Sequence, residues 1–319
     1  MTHRLLVSVL FSFLLILPAL PAQAFWIWTP ESGTWMNPKY AVKDSPKEQL
    51  AYARSFLDAG QNAEALREFK KLIKHYSKAR EAADAQFDIG RVYELLGKYA
   101  VAVDAYQLVL DKYPFSDLGP KAVERQYALA IALMEGKARD GKLAETLLGT
   151  EHRVVDIFRK VIKNDPYGQF AASAQYKIAL YFQARGEHQL AREEFEKTLD
   201  DYPDSEWAEP ARYQIAVSDA KRSVAPQYDQ QVTSAAVAGF EDFVKTNPDS
   251  ELTAEAREQI RLLSEKEAEN AYVVAKYYMK NKKYSSARIY CQQILQKYAR
   301  TTWADQARAL LAEIPTEVK

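Results

Sequence analysis

Residues 175–203 read QYKIALYFQARGEHQLAREEFEKTLDDYP, and the pattern in this stretch decides the fold. It opens on Gln175-Tyr176-Lys177-Ile178-Ala179 and closes on Tyr202-Pro203. Apolar residues at every third or fourth position predict two helices, and the proline marks the end of the second. The opening recurs at residues 86–90, 126–130 and 212–216, and the closing recurs at Tyr113-Pro114, Asp165-Pro166 and Asn247-Pro248. The stretch is therefore one unit of a repeat.

The spacing from the small residue of the opening to the proline is the same in two copies, from Gly90 to Pro114 and from Ala179 to Pro203. Degenerate copies with this spacing start at Ala53 and Ala275. The two remaining copies are longer, and we place their insertions in loops near Gly136–Thr150 and Ser218–Ser234. The residues at the repeated positions are small or aromatic, and this pattern resembles that of the tetratricopeptide repeat family. We therefore predict an all-α, right-handed solenoid of about six tetratricopeptide-like hairpins over residues 46–314.

The connection before the last hairpin, from Pro248 to Ala275, is longer than the preceding one from Pro203 to Ala216. The interval 252–281 contains neither glycine nor proline. Helix formers fill this run, so it predicts one long helix, or two nearly continuous ones, that enters the final hairpin.

The chain has 43 Lys and Arg residues against 43 Asp and Glu residues, so its formal net charge is zero. A balanced charge lacks the basic surface that phosphate backbones require, which argues against nucleic acid as a partner. The apolar fraction of 48% is that of an ordinary globular protein.

The interval 1–24 has the pattern of a cleavable export signal. Arg4 precedes an apolar run from Leu5 to Leu17 that is too short to span a bilayer, and Ala22-Gln23-Ala24 suits a signal peptidase. We predict cleavage before Phe25, a Trp-rich extended segment over 25–45 and a short tail over 315–319. No cysteine follows the cleavage site, so we expect a periplasmic protein without an acyl group that is associated with the outer membrane through partners.

No pattern in the sequence indicates catalysis. His-Glu-x-x-His, Gly-x-Ser-x-Gly, phosphate-loop and paired-cysteine motifs do not occur, and the histidines are scattered. Cys291 occupies the repeat position that Tyr106 and Phe195 hold elsewhere, which predicts a buried structural thiol. His188 likewise occupies the packing position of Tyr99. We predict no enzyme activity, no cofactor and no metal site.

Two sets of residues are candidates for binding. The residue after each small position is expected to point into the groove of the solenoid, which predicts a groove that is basic at its N-terminal end and apolar in the middle. The aromatic segment at the N-terminus is either a strap over the first hairpin or a docking site for a partner or membrane, with equal support. The predicted groove residues are Arg54, Arg91, Ile131, Leu180 and Val217, followed by Lys276, and the predicted docking residues are Trp26, Trp28, Trp35, Tyr277 and Tyr278.

The long charged helix running into residues 274–278, then Tyr284-Ser285-Ser286-Ala287 and a terminal repeat, resembles the C-terminal half of the BamD family. BamD proteins are tetratricopeptide subunits of the machinery that assembles β-barrels in the bacterial outer membrane. The resemblance implies two partners: the barrel-forming assembly subunit at the C-terminal repeats, and unfolded outer-membrane protein substrates at the N-terminal ones. A periplasmic adaptor of an envelope-maintenance or cell-division complex, of the Tol-Pal coordinator type, remains the alternative.

Overall fold

The computed structural model describes residues 27–29, 34–36, 41–136, 153–223 and 230–315. Within these ranges the chain forms thirteen helices, of which twelve pair into six hairpins and the last, α13 (Trp303–Ala312), follows the final hairpin. The hairpins are α1 (Pro46–Asp58) and α2 (Asn62–His75), α3 (Arg80–Leu95) and α4 (Tyr99–Lys112), α5 (Gly119–Met134) and α6 (Arg153–Asn164), α7 (Ala171–Ala184) and α8 (His188–Asp201), α9 (Ala208–Arg222) and α10 (Gln230–Thr246), and α11 (Thr253–Lys280) and α12 (Tyr284–Lys297).

Each helix packs against the next one along the chain, which confirms the predicted helical solenoid. The core is correspondingly divided along the hairpins. One cluster of buried apolar residues joins hairpin 1 to hairpin 2, and a second extends from hairpin 2 to the first helix of hairpin 5. A third joins hairpin 5 to α11, and a fourth lies in hairpin 6 and α13. None of the helices in the described ranges has the length and apolarity needed to cross a bilayer.

In hairpins 1 to 4 and hairpin 6, the turn between the two helices contains one residue in the left-handed backbone conformation. In hairpins 1 to 4 a glycine takes this conformation, with φ between 71° and 77°. Glycine suits the position because it has no Cβ to meet the following carbonyl oxygen. In hairpin 6 the same position is taken by Lys282, at φ 55°. The four glycines are Gly60, Gly97, Gly136 and Gly186.

The long helix before the last hairpin is confirmed as one continuous helix, α11, of 28 residues. Its two halves belong to different cores: Ala256 and Leu263 are buried with hairpin 5, whereas Ala268 and Ala275 are buried with hairpin 6. The extra helical turns therefore join the two hairpins.

The prediction for the second insertion is wrong in its extent. Helix α9 continues to Arg222 and α10 begins at Gln230, so most of the interval Ser218–Ser234 is helical. Buried Ser218 and Thr233 explain this, because both helices remain packed where a loop was expected. Most of the first predicted insertion, Gly136–Thr150, lies outside the described residues, as do residues 1–24 and 316–319.

The Trp-rich segment contains two three-residue strands, β1 (Ile27–Thr29) and β2 (Thr34–Met36). They pair antiparallel, with Trp28 opposite Trp35. Residues 41–43 then lie against hairpin 1. Tyr76 donates to the carbonyl oxygen of Lys43 at 2.6 Å, and Lys71 donates to that of Ala41 at 3.2 Å.

Candidate functional site

Side chains of successive first helices contact one another from α1 to α9, and we call the surface that the first helices of the hairpins form the first-helix face. Buried glutamines hold these helices in place. Gln49 and Gln175 each donate to the backbone carbonyl of a glutamate 19 residues later, Glu68 or Glu194, and also to its carboxylate. Gln86 donates in the same way to the carbonyl of Ala105 at 2.9 Å. A buried amide without a partner is costly, so these bonds position each first helix on its second helix.

At the N-terminal end of the first-helix face, the two predicted groove arginines share one carboxylate. Arg54 Nε lies 2.6 Å from Asp88 Oδ2, and Arg91 lies 2.9 Å from Asp88 Oδ1. Arg54 also pairs with Asp84 at 3.2 Å. Burial lowers the pKa of Arg54, but its hydrogen bond to Asp88 raises it, and the net result is a pKa above the usual value. Two arginines and two aspartates cancel, so this end of the surface is not the free cationic site that the sequence predicts.

A cavity of about 450 Å³ lies between α3 and α5, lined by Arg91, Glu94 and Arg125 together with apolar side chains. Glu94 accepts from the hydroxyl of Tyr106 at 2.5 Å and from Nε of Arg125 at 3.0 Å. Burial and the neighbouring carboxylate raise the pKa of Tyr106 well above its usual value. The phenol therefore stays protonated and ties α4 to the bridge between α3 and α5.

A second cavity, of about 470 Å³, brings together two of the predicted groove residues. Leu180 of α7 and Val217 of α9 line it with Met134 of α5, His188 and Lys221. Three successive first helices thus contribute apolar side chains, which suits an apolar side chain of a bound segment. Ile131, the remaining apolar candidate, is half-buried against the same core as Leu180 but does not line this cavity.

The predicted docking residues differ in exposure. Tyr277 is 63% exposed, whereas Tyr278 is half-buried and stacks on Tyr290 with 5.7 Å between ring centroids. Trp28 is 48% exposed. Trp26 lies outside the described residues, and Trp35 is placed by its backbone in β2.

Of the two residues considered for chemistry, Cys291 is structural and His188 lines the second cavity. Cys291 is fully buried in the core of hairpin 6, and burial raises the pKa of its thiol, which confirms the prediction of a buried structural cysteine. His188 lies at the start of α8. No group of three or more His, Cys, Asp or Glu side chains within the described ranges is arranged to hold a metal ion.

Sequence reasoning missed the glutamine anchors and two exposed aromatic residues. The anchors have a signature, a Gln followed by a Glu and then a Lys at matching spacings, which occurs at Gln49 and at Gln175 and would emerge from aligning the repeats. Phe115 and Tyr167 each follow the proline of a repeat and are almost fully exposed. Aspartate follows the proline in the next two repeats, so the sequence alone could have shown that an aromatic residue at this position is unusual.

Comparison with known proteins agrees with this architecture. A tetratricopeptide repeat family matches residues 50–117. The outer membrane protein assembly factor BamD of Caulobacter vibrioides is 22% identical over 165 residues, which are 52% of this chain and 54% of that protein. The chain thus spans about half the length of this curated relative.

Among solved structures, MamA (residues 41 to the end) from Desulfovibrio magneticus is 17% identical, with a TM-score of 0.33 over 66% of this chain and 99% of that one. A tetratricopeptide repeat protein from Parabacteroides merdae is 14% identical, with a TM-score of 0.34 over 85% of this chain and 98% of that one. Both TM-scores are low. The family described as outer membrane lipoprotein, YfiO, matches residues 150–318, which is more than half of the chain. This protein therefore belongs to the YfiO outer membrane lipoprotein family.

Proposed function

We propose that this protein is a non-catalytic, periplasmic BamD-like scaffold in the assembly of outer-membrane β-barrel proteins. In this role it holds apolar segments of unfolded barrel substrates on the first-helix face and contacts the barrel-forming assembly subunit. Its membership of the family and its similarity to an outer membrane protein assembly factor support the role.

The cavity formed by Met134, Leu180 and Val217 is the observation that carries this proposal. Strands of membrane barrels carry an apolar residue at every second position, so an unfolded substrate offers many side chains of this kind. A cavity that accepts any of them selects for apolar character rather than for one sequence. This breadth is what a scaffold for many different barrels needs.

The basic end of the predicted groove would favour a peptide with a free terminal carboxylate. Recognition through the apolar cavity does not depend on that group. Arg54 and Arg91 are already neutralised by Asp84 and Asp88. A carboxylate that approached them would compete with Asp88, whose side chain is almost fully buried. We therefore expect the apolar half of the predicted groove to supply most of the affinity.

The test is fluorescence anisotropy with a labelled peptide from a barrel strand, in free-acid and C-terminally amidated forms. The variant carries Leu180→Gln and Val217→Gln, and the control is Leu190→Gln, which changes an exposed leucine on α8. Burying each such side chain is worth about 1.5–3 kcal/mol, and about 1.4 kcal/mol is a factor of ten, so the double variant should bind at least about tenfold more weakly. Equal binding of variant and control contradicts the cavity assignment, and a strong effect of amidation restores the arginines to the site.

Partner capture tests the wider role. Tagged protein is purified from envelopes in the wild-type form and as Trp28→Ala, with Tyr52→Ala as the control for another partly exposed aromatic residue. Recovery of the barrel-forming assembly subunit, reduced in Trp28→Ala alone, supports both the role and the docking segment. Recovery of Tol-Pal components instead favours the adaptor alternative.

A further inference from the structure

The last hairpin is unlike the rest of the chain in its charge. The interval 270–304 contains seven Lys and Arg side chains and neither Asp nor Glu, although the whole chain is neutral. This interval therefore has a local excess of positive charge.

Four of these cations lie around the reversal between α11 and α12, and all four are exposed: Lys276, Lys280, Lys282 and Lys283. Within the described part of the chain none of them makes an ion pair. Arg54 and Arg91 at the opposite end share buried Asp88. The four lysines thus form a cluster of exposed positive charge, in an interval that has no carboxylate side chain.

Exposed apolar side chains lie beside these lysines on the last turns of α11. Val273, Lys276, Tyr277 and Lys280 follow one another at helical spacings, so they share one side of the helix. Val273 is 44% exposed and Tyr277 is 63% exposed. We call Val273 and Tyr277 with the four lysines the C-terminal lysine surface.

Lys282 shows that charge is present here at a conformational cost. It is the one residue other than glycine that has positive φ in the described ranges, and the equivalent residue of hairpins 1 to 4 is glycine. A left-handed residue with a Cβ is less stable than glycine in the same place. An additional lysine in a solvent-exposed turn has no packing role to account for that cost.

We propose that the C-terminal lysine surface binds the anionic surface of a phospholipid bilayer. Clustered lysines are attracted to negatively charged headgroups, and tyrosine is suited to the interface, where its ring meets acyl chains and its hydroxyl remains hydrated. A lysine ammonium group is a hydrated point charge on a flexible stem, so it can follow the diffuse negative charge of a bilayer surface without a fixed partner. This contact is separate from the substrate cavity at Leu180 and Val217.

The experiment is sedimentation of the chain from Phe25 onward with vesicles of phosphatidylethanolamine alone, or mixed with phosphatidylglycerol. The variant combines Lys276→Gln, Lys280→Gln, Lys282→Gly and Lys283→Gln. The control removes equal charge from exposed lysines of the first hairpin and the turn after it as Lys47→Gln, Lys70→Gln, Lys74→Gln and Lys78→Gln. Both retain the tryptophan segment, so any contribution from it cancels.

We expect wild type and control to bind the anionic vesicles, to release them in high salt, and to ignore the neutral ones. The variant should bind at least about tenfold more weakly, while its circular dichroism and peptide binding remain those of wild type. Equal binding of variant and control overturns the proposal. Failure of wild type to bind anionic vesicles also overturns it, and capture of an acidic protein through the four lysines would then assign the surface to that partner.

Discussion

Gly90 differs from the small residues at the same position of the other five hairpins, which are all alanine. A Cβ on Gly90 would lie 2.5 Å from Cε1 of Tyr106, far inside van der Waals contact. Hairpins 1, 3, 4 and 5 combine alanine with phenylalanine at the position of Tyr106. The tyrosine is held in place by its hydroxyl bond to Glu94, so its ring approaches the helix closely and only glycine leaves room for it.

Gly90→Ala should therefore destabilise the protein by about 1–3 kcal/mol, the usual cost of overpacking. Tyr106→Phe in the same chain should recover part of that loss, because the ring is then free to take the place that phenylalanine has in the other hairpins. Urea unfolding of the two single variants and the double variant measures the coupling. Additive losses would show that the two residues are independent.

At Lys282 we predict a substitution that raises the stability of the protein. Lys282→Gly should raise stability by up to about 1 kcal/mol, since relief of the left-handed strain exceeds the greater entropy of glycine in the unfolded chain. Gly186→Ala is the matched control, because a Cβ there meets no atom within 4 Å and only the backbone conformation is changed. It should lower stability by about 1 kcal/mol. Thermal unfolding of both variants measures these changes in stability. A loss of stability in Lys282→Gly contradicts the assignment of strain.

The small residue and its aromatic partner were predictable from the sequence because each recurs at a fixed spacing. The pairing of Gly90 with Tyr106 was not, since it depends on Glu94 and Arg125, which lie outside the repeated positions. The same limit applies to the groove: Arg54 and Arg91 were located correctly on first helices, but their neutralisation requires two aspartates on α3 to reach them.

Single charged residues hold neighbouring helices together at the scale of elements. Glu194 of α8 accepts from Gln175 of α7 at 2.8 Å, pairs with Lys197 at 2.8 Å and lies 3.4 Å from Arg159 of α6. Burial raises the pKa of Glu194, but the hydrogen bonds from Lys197 and Gln175 and the nearby positive charges outweigh it. Its pKa in the folded protein therefore lies below the ordinary value.

A carboxylate with a lowered pKa stabilises the fold above its unfolded pKa, and this contribution disappears as the pH falls through the folded pKa. Glu194→Gln should cost about 1.5–3 kcal/mol near neutral pH and progressively less in acid. Urea unfolding over a series of falling pH values measures this, with Glu193→Gln, an exposed carboxylate on the same helix, as the control. A loss of stability that is constant with pH would show that the charge of Glu194 does not stabilise the fold.

Helix α11 determines where the chain can be cut. Its first half completes the core of hairpin 5, and Lys266 within it donates to Ser223 Oγ at 2.8 Å. A truncation after Asn270 should remove hairpin 6 and leave hairpins 1 to 5 folded, because solenoid stability is a sum of neighbouring terms. A truncation after Pro248 should also unfold hairpin 5. Hydrogen exchange over α9 and α10 distinguishes the two truncated proteins. Equal protection in both contradicts the division of α11 between two cores.

The continuity of α11 was predictable from the absence of glycine and proline, but its division between two cores was not. Apolar residues occur along its whole length, so the sequence does not mark where packing against α10 ends and packing against α12 begins. The extent of the second insertion was missed for a related reason: its residues are polar, yet Ser218 and Thr233 are buried within helices.

At the scale of the whole molecule, a net charge of zero conceals a local excess of positive charge in the last hairpin. The interval 270–304 has neither Asp nor Glu, whereas Arg54 and Arg91 in the first two hairpins share the carboxylate of Asp88. The total charge of the chain argues against nucleic acid as a partner, but it does not reveal this local excess. The excess appears only when charges are counted along the chain and each ion pair is then identified in the structure.

The predicted export signal leads to a test on the whole chain. Intact-mass analysis of protein recovered from the periplasmic fraction should show a polypeptide that begins at Phe25, because Ala22-Gln23-Ala24 suits cleavage there. An Ala24→Arg variant should retain the segment 1–24, since a large charged residue does not fit the cleavage site. A mass that includes Met1–Ala24 in the wild-type protein contradicts the prediction.

Packing of each helix on the next one also affects the order in which the chain can fold. In the export that the sequence predicts, the N-terminal residues cross the membrane first, while later residues are still inside the translocation channel. Nearly all contacts of hairpins 1 to 4 are between neighbours, so each hairpin can close as soon as the following one emerges. Hairpin 5 needs only the first half of α11, so it can close before the second half of that helix and α12 have emerged to complete hairpin 6.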